Sequence, residues 1–166
     1  MTKKFLTAFV IMLFLAATAA EAIPLSTWNS AGVGILTERA AVLDALGTPD
    51  GKEGTLEWYD ITGNEGLSRV SLDFLDTGKV QAVSLSFAPD SVDLDTLCSI
   101  VMKAFPGTQK VHRDDRIAIF LGRSTENEEP VYFLAMADEP DGDRGPELIS
   151  MTESANRYYQ EQKKPQ

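Results

Sequence analysis

Apolar residues recur along this chain with two different periods, and the change from one period to the other separates helices from strands. Near the start, a three- and four-residue spacing of apolar side chains predicts a helix that carries Leu36, Ala40, Leu43 and Leu46 on one face. We expect Thr37 to cap this helix. Gly47 is expected to end it, because Pro49 prevents its continuation.

Three runs with a period of two follow the first helix and predict strands at Leu56–Ile61, Arg69–Leu75 and Val80–Phe87, the last two joined by a hairpin turn at Asp76–Lys79. Alternation directs one set of side chains toward the helices: Leu56, Trp58, Val70, Leu72, Phe74, Val83, Leu85 and Phe87. The other set faces outward: Tyr59, Arg69, Ser71, Asp73, Ser84 and Ser86. One apolar and one polar face predict an α+β fold, with helices packed on one face of an antiparallel sheet.

The second half of the chain repeats this order of elements. A helix capped by either Ser91 or Asp93 precedes strands at Lys110–His112, Arg116–Leu121 and Val131–Met136. The repetition leaves open a tandem of helix–three-strand units, residues 34–88 and 91–137. A last helix is predicted over Glu147–Gln160, with Leu148, Met151, Ala155 and Tyr158 in phase. Residues 161–166 are expected to be a disordered tail, so residues 23–160 form a single domain.

The first 22 residues have the three parts of a secretory signal peptide. Lys3 and Lys4 supply the positive charge, and Phe5–Ala16 is a short apolar run. Ala20-Glu21-Ala22 is a small-residue cleavage site, with Ala17-Thr18-Ala19 as an alternative site. The apolar run is shorter than the roughly 20 residues that a permanent membrane helix needs. We therefore expect a periplasmic or secreted protein, with no stable membrane insertion after cleavage.

Composition narrows the classes of partner. The chain has 166 residues and 25 acidic against 15 basic side chains, a formal net charge of −10. Binding to nucleic acid or to an anionic membrane surface relies on clustered positive charge, so neither is expected to be a partner. Cys98 is the single cysteine, which rules out an intramolecular disulfide and leaves stability to the hydrophobic core.

The motif search does not favour an enzyme and leaves a hydrolase as the least favoured alternative. His112 is the one histidine and stands in a charged stretch, so neither a multi-histidine metal site nor an imidazole relay is expected. Cys98 falls on the apolar side of the second predicted helix, which indicates an inert buried thiol. The acidic loop Asp138–Asp143 lacks the ligand order of a calcium loop. We expect no catalytic residue, no metal and no cofactor.

Several short motifs resemble the SmpA/OmlA (BamE-like) envelope protein family. They are Val42-x-x-x-Leu46-Gly47-x-Pro49, Trp58-Tyr59 and Leu72-x-Phe74-x-x-x-Gly78-Lys79-Val80, which together cover about residues 34–87. The resemblance implies a compact helix-then-three-strand fold and a part in outer-membrane assembly or in periplasmic binding. The lipidated cysteine of the outer-membrane members is missing here. The tandem arrangement is also similar to the duplicated architecture of the beta-lactamase inhibitor proteins.

These observations favour a protein-interaction module that binds another envelope or exported protein in envelope assembly or maintenance. The alternative is a soluble inhibitor or binder of another exported enzyme. We expect the partner to contact the outward face of the sheet. Tyr59, Arg69 and Asp73 are the candidate contact residues, because tyrosine and arginine are enriched at binding hot spots.

Overall fold

Eight of the ten strands that the structure describes form one antiparallel sheet. The structure is a computed structural model that describes residues 29–30, 33–61, 66–123, 129–139 and 143–162. Its strands are β1 (Asn29–Ser30), β2 (Val33–Gly34), β3 (Gly51–Glu53), β4 (Leu56–Asp60), β5 (Leu67–Asp73), β6 (Ala82–Phe87), β7 (Gln109–Arg113), β8 (Ile117–Arg123), β9 (Pro130–Met136) and β10 (Glu147–Thr152). Its helices are α1 (Arg39–Leu46), α2 (Leu94–Ala104) and α3 (Glu153–Gln162). The predicted signal peptide lies outside the described residues.

The strand order of the large sheet is β3-β4-β5-β6-β10-β9-β8-β7, and every neighbouring pair is antiparallel. Helix α1 is followed by β3–β6, and helix α2 is followed by β7–β10. The last strands of the two runs therefore meet at the centre of the sheet. The predicted α+β class with an antiparallel sheet is confirmed. Helices α1 and α2 are each followed by four strands, whereas three were predicted in each case. The additional strands are β3 and β10.

Helices α1 and α2 contact the same face of this sheet. Val42 of α1, and Leu97 and Val101 of α2, are fully buried in the main core. The sheet contributes buried residues of one parity to that core: Tyr59, Val70, Leu72, Val83, Leu85, Ala118, Phe120, Val131, Phe133, Ala135 and Leu148. Phe105, just after α2, stacks on Phe133 with ring centroids 4.6 Å apart.

Helix α3 packs on the opposite face, so the prediction of helices on one face only is not confirmed. Ala155 of α3 is buried against Ala82 and Met151, whose side chains have the other parity. Thr152 starts the helix, because its hydroxyl oxygen accepts a hydrogen bond of 3.1 Å from the N–H of Ala155. The helix runs to Gln162, two residues into the segment predicted as a tail.

The prediction of a helix over Glu147–Gln160 is wrong in its first part. Residues 147–152 form the strand β10, paired with β6 on one side and β9 on the other. Leu148 and Met151 are both buried, although they point to opposite faces, because α3 covers the face opposite α1 and α2 here. A strand covered on both faces has no period of two in its apolar residues, and its pattern then resembles a helix.

The helix ends follow the predicted signals in part. Asp93 caps α2, since its carboxylate accepts a hydrogen bond of 2.7 Å from the N–H of Thr96. The N-cap of helix α1 lies one residue after the expected Thr37. Glu38 holds that position, and the hydroxyl of Thr37 instead accepts from the N–H of Gly34 at 2.9 Å. Gly47 ends α1 at φ 81°, as predicted, and its N–H donates to the carbonyl of Leu43 at 2.9 Å.

Candidate functional site

The sheet face opposite α1 and α2, here called the open face, carries three rows of side chains that cross the sheet from β4 to β8. The first row is Leu56, Asp73, Ala82, Met151, Tyr132 and Leu121. The second row is Trp58, Ser71, Ser84, Ile149, Leu134 and Ile119. The third row is Asp60, Arg69, Ser86, Glu147, Met136 and Ile117. Helix α3 packs on the first row, and its cluster reaches Leu134 and Ile149 of the second row.

The second and third rows change character across the centre of the sheet. Their polar half, on β4–β6 and the start of β10, consists of Trp58, Asp60, Arg69, Ser71, Ser84, Ser86 and Glu147. Their aliphatic half, on β8–β10, consists of Ile117, Ile119, Leu134, Met136 and Ile149. Every residue of the aliphatic half is partly exposed. One face therefore offers a charged region beside a continuous aliphatic region.

Arg69 contacts both Trp58 and Asp60 in the polar half. The ring of Trp58 lies across Gly51, where a Cβ atom would stand 2.0 Å from the indole Cζ2. The guanidinium carbon of Arg69 is 5.4 Å from the centroid of that ring. Arg69 Nε also donates to Asp60 Oδ1 at 2.8 Å. The side chains of Arg69 and Asp60 make these contacts while each stays a little under half exposed.

Two open grooves flank the third row, and residues 143–146 separate them. The larger, about 780 Å³, is lined by Asp60, Arg69, Ser86 and Arg144 among others. The smaller, about 420 Å³, is lined by Arg116, Ile117, Met136 and Arg144 among others. Gly145 allows the separating segment to lie close to the sheet, because a Cβ atom there would stand 2.1 Å from the carbonyl oxygen of Phe87. Both grooves open onto the open face.

The three predicted contact residues lie in different environments. Arg69 is exposed on the open face, as predicted. Asp73 has the predicted parity but is only 7% exposed, because α3 covers its row. Tyr59 is 4% exposed and faces the helices, so the prediction that it faces outward is wrong. Its hydroxyl donates to the carbonyl of Gly47 at 3.3 Å, and burial raises its pKa.

Strand β4 has the opposite parity from the one predicted, and Glu57 explains the difference. Glu57 is fully buried on the helix-facing side, where its Oε1 pairs with Arg39 Nη2 of α1 at 2.6 Å and with Lys52 Nζ at 3.3 Å. A buried carboxylate needs such partners. The sequence pattern predicted that Leu56 and Trp58 point toward the helices and that Tyr59 points outward. Leu56 and Trp58 instead lie on the open face.

The single histidine and the single cysteine lie in different environments. Within the residues that the structure describes, no group of three or more histidine, cysteine, aspartate or glutamate side chains is placed to hold a metal ion. His112 is exposed, with Nε2 3.4 Å from Asp114 Oδ2, and Cys98 is buried and free, both as predicted. The backbone N–H groups of Arg116 and Ile117 lower the pKa of Asp114. Residues 140–142 of the acidic loop lie outside the described residues.

Comparison with known proteins adds no relative. No protein-family model, no curated protein and no solved structure matches the chain. The likeness of residues 34–87 to the SmpA/OmlA family therefore rests on the quoted motifs alone. Each helix in the described part of the chain is too short or too polar to cross a membrane.

Proposed function

We propose that this chain is an exported protein-interaction module that binds another envelope or exported protein on the second and third rows of the open face. The observation that carries the proposal is the aliphatic half of that face. An antiparallel sheet face that meets only water is usually polar, because alternation places apolar residues on the covered side. Burial of this half against a partner would contribute about 25 cal/mol per Å² of apolar area removed from water.

Strand β8 supports this reading most directly. Ala118 and Phe120 of β8 are fully buried in the main core, and the residues between and beside them are also aliphatic. A strand apolar on both faces is expected where both faces are covered. In the described residues, the cluster around α3 covers the first row and reaches Leu134 and Ile149 of the second row, but it does not include Ile117, Ile119 or Met136. We infer that a partner covers the rest.

The polar half would orient that partner. Arg69 and Trp58 belong to the residue types that dominate binding energy at interfaces, and Gly51 and Asp60 hold them in place before binding. A side chain that is already ordered loses less conformational entropy on binding. Trp58 thus takes the role first predicted for Tyr59, and Arg69 keeps its own.

We further propose that the fold is a tandem of two helix–four-strand units, residues 34–88 and 91–152. The mirrored strand order around β6 and β10 supports this, because two equal units paired through their last strands generate that order. The second unit is longer than residues 91–137 because it includes β10. In this arrangement the open face is a single surface made by both units, and α3 is an addition at the C-terminal end.

The proposed setting is the periplasm, with a part in envelope assembly or maintenance, supported by the signal-peptide pattern and by the SmpA/OmlA resemblance. A soluble inhibitor or binder of another exported enzyme would use the same face. The identity of the partner separates these two roles: assembly proteins of the outer membrane favour the first, and an exported enzyme favours the second.

Site-specific photo-crosslinking in intact cells that export the protein tests the proposal. A photoreactive amino acid replaces Ile119, at the centre of the aliphatic half. The matched control replaces Met102, an exposed apolar residue of α2 that is remote from the open face. We expect a discrete crosslinked partner from position 119 and none from position 102. Mass spectrometry of the product then identifies its class.

A second measurement tests the same face without crosslinking. Ile119→Asp should abolish capture of the identified partner, whereas Met102→Asp should not. Both variants must show the wild-type circular dichroism spectrum and cooperative unfolding. Crosslinks of equal yield at both positions, or capture unaffected by Ile119→Asp, would show that the open face is not the binding surface.

A further inference from the structure

Strand β7 forms the longer of the two free edges of the large sheet. It pairs only with β8 among the described strands, and all five of its residues are exposed, including Val111 at 55%. The other edge strand, β3, has three residues, and the ring of Trp58 lies across its Gly51. A free edge presents unpaired backbone N–H and C=O groups to any added strand.

Backbone N–H and C=O groups at the end of β7 are unpaired with β8 and point toward the free edge. The N–H of Asp114 donates to the carbonyl of Ile117 at 2.9 Å, which closes the turn to β8. Because successive residues of an antiparallel strand alternate in hydrogen-bonding direction, the N–H and C=O of Arg113 point away from β8. A register shift between Lys110 and His112 interrupts the ladder and leaves Val111 outside the regular pairing.

The charge of this edge is opposite to that of the rest of the protein. Strand β7 contains Lys110, His112 and Arg113 and no acidic residue, and Asp114, Asp115 and Arg116 follow it in the turn to β8, in a chain of net charge −10. Lys110 Nζ lies 6.0 Å from the centroid of the Phe120 ring, and Arg113 Nη2 pairs with Asp95 of α2. Lys110, His112 and Arg116 are exposed beside the free backbone.

We propose that the β7 edge binds an acidic extended segment of a partner protein, which adds to the sheet as a ninth strand. Backbone hydrogen bonds would supply affinity in this mode, and side chains would supply selectivity. Opposite charges on neighbouring strands stabilise their pairing, and like charges oppose it. Basic edge residues therefore disfavour a second copy of β7 as the added strand, since pairing would bring the basic residues of the two copies together.

The test uses the processed full chain and a synthetic peptide of about eight residues that alternates glutamate with valine. One control peptide carries lysine in place of glutamate. Another keeps the acidic sequence but is N-methylated at alternate residues, which removes the N–H groups needed for pairing. Binding is measured by calorimetry at two salt concentrations, and amide hydrogen exchange locates the protected residues.

We expect the acidic peptide alone to bind, with less affinity at higher salt and with new amide protection confined to β7. Lys110→Glu should weaken binding about tenfold or more, because it converts an attraction into a repulsion. Lys79→Glu, which changes the net charge equally at an exposed site near α1, should have little effect. The open face is not involved, so the result is independent of crosslinking at Ile119.

Other results overturn the proposal. Equal binding of the N-methylated peptide would indicate charge attraction without strand addition, and equal binding of the lysine peptide would remove the charge selectivity. Absence of binding by the acidic peptide would show that the edge accepts no added strand. Light scattering that finds a dimer, with β7 amides protected in the absence of peptide, would assign the edge to a second copy instead.

Discussion

The hydroxyl group of Tyr159 donates a hydrogen bond to Oδ2 of Asp73, which joins helix α3 to the first row of the open face. The other carboxylate oxygen of Asp73 accepts from the hydroxyl of Thr55 at 2.7 Å and from the N–H of Leu75 at 3.1 Å. Burial raises the pKa of Tyr159 well above its usual range, and the carboxylate of Asp73 adds to this. The folded protein therefore holds Tyr159 in its neutral form.

The Tyr159–Asp73 contact predicts a loss of stability at alkaline pH. In the unfolded chain Tyr159 ionises at about pH 10, and in the folded chain only at higher pH. Its contribution to the free energy of unfolding is complete below pH 10 and is lost as the pH rises beyond it. Urea unfolding at a series of pH values should show a shallower alkaline decline for Tyr159→Phe than for wild type. Tyr158→Phe, a change at the neighbouring exposed tyrosine, should keep the wild-type decline, and equal slopes for all three proteins would contradict the assignment.

The ion pair between the partly exposed Arg39 and the buried Glu57 predicts a large effect of a single substitution. Arg39→Met should lower the free energy of unfolding by about 3 kcal/mol, because it leaves a buried carboxylate with Lys52 as its remaining cationic partner. The double variant Arg39→Met with Glu57→Leu should recover part of this loss. Lys79→Ala, which breaks an exposed 3.8 Å pair with Glu38, should change stability by less than about 1 kcal/mol. Equal effects of Arg39→Met and Lys79→Ala in urea titrations would show that the burial of Glu57 is unimportant.

The positive φ of Gly47 predicts that its substitution lowers stability through backbone strain alone. A Cβ atom at this position would have no neighbour within 4 Å, but the residue stands at φ 81°, where side chains are strained. Gly47→Val should therefore destabilise the protein by about 1–3 kcal/mol. Thermal unfolding monitored by circular dichroism measures the change, and a melting temperature equal to that of wild type would mean that α1 ends in another way.

Gly51 predicts a specific effect on the tryptophan of the open face. Gly51→Ala should push the ring of Trp58 away from β3, because the added methyl group would overlap it. In a Trp28→Phe background, where Trp58 is the single tryptophan, the emission maximum should shift to longer wavelength. Glu53→Ala, a change at an exposed position of the same strand, serves as the control. An unchanged emission spectrum in Gly51→Ala would show that the ring does not depend on the glycine.

The burial of Cys98 predicts that its thiol reacts slowly with thiol reagents in the folded protein. Its side chain is buried between α2 and the sheet, so a thiol reagent should modify it only when the core opens. Labelling followed by absorbance should be slow in native buffer and immediate in denaturant. Rapid stoichiometric labelling of the folded protein would place the thiol at the surface.

The strands predicted most reliably were those in which apolar residues alternate with polar residues. The alternation of Val70 and Leu72, and of Val83 and Leu85, predicted both strands and the face each residue occupies, because only one side of the sheet is apolar there. Gly78, at φ 73°, occupies the predicted hairpin turn. The burial of Cys98 was predicted from its position on the apolar face of α2.

The wrong predictions share one physical cause. Whether each face of a strand is covered depends on segments that are distant in the sequence. Glu57 could be assigned inward only if Arg39 and Lys52 were known to meet it. Residues 147–152 could be assigned to a strand only if both faces were known to be covered. The apolar outer positions Ile117 and Ile119 were available in the sequence. Their alternation with Ala118 and Phe120 was hidden, because all four are hydrophobic.

The mirrored strand order also governs when the parts of this protein can assemble. Contacts inside each half are local, as in the Arg69–Asp60 pair, whose residues are 9 apart, whereas the hydrogen bond from Ser84 to Glu147 at the central seam spans 63 residues. Contacts of long sequence separation require more loop-closure entropy and tend to form late in folding. Before the seam closes, β6 and β10 are both free edges. That interval is when a nascent chain is most exposed to aggregation or to exchange of halves with another copy.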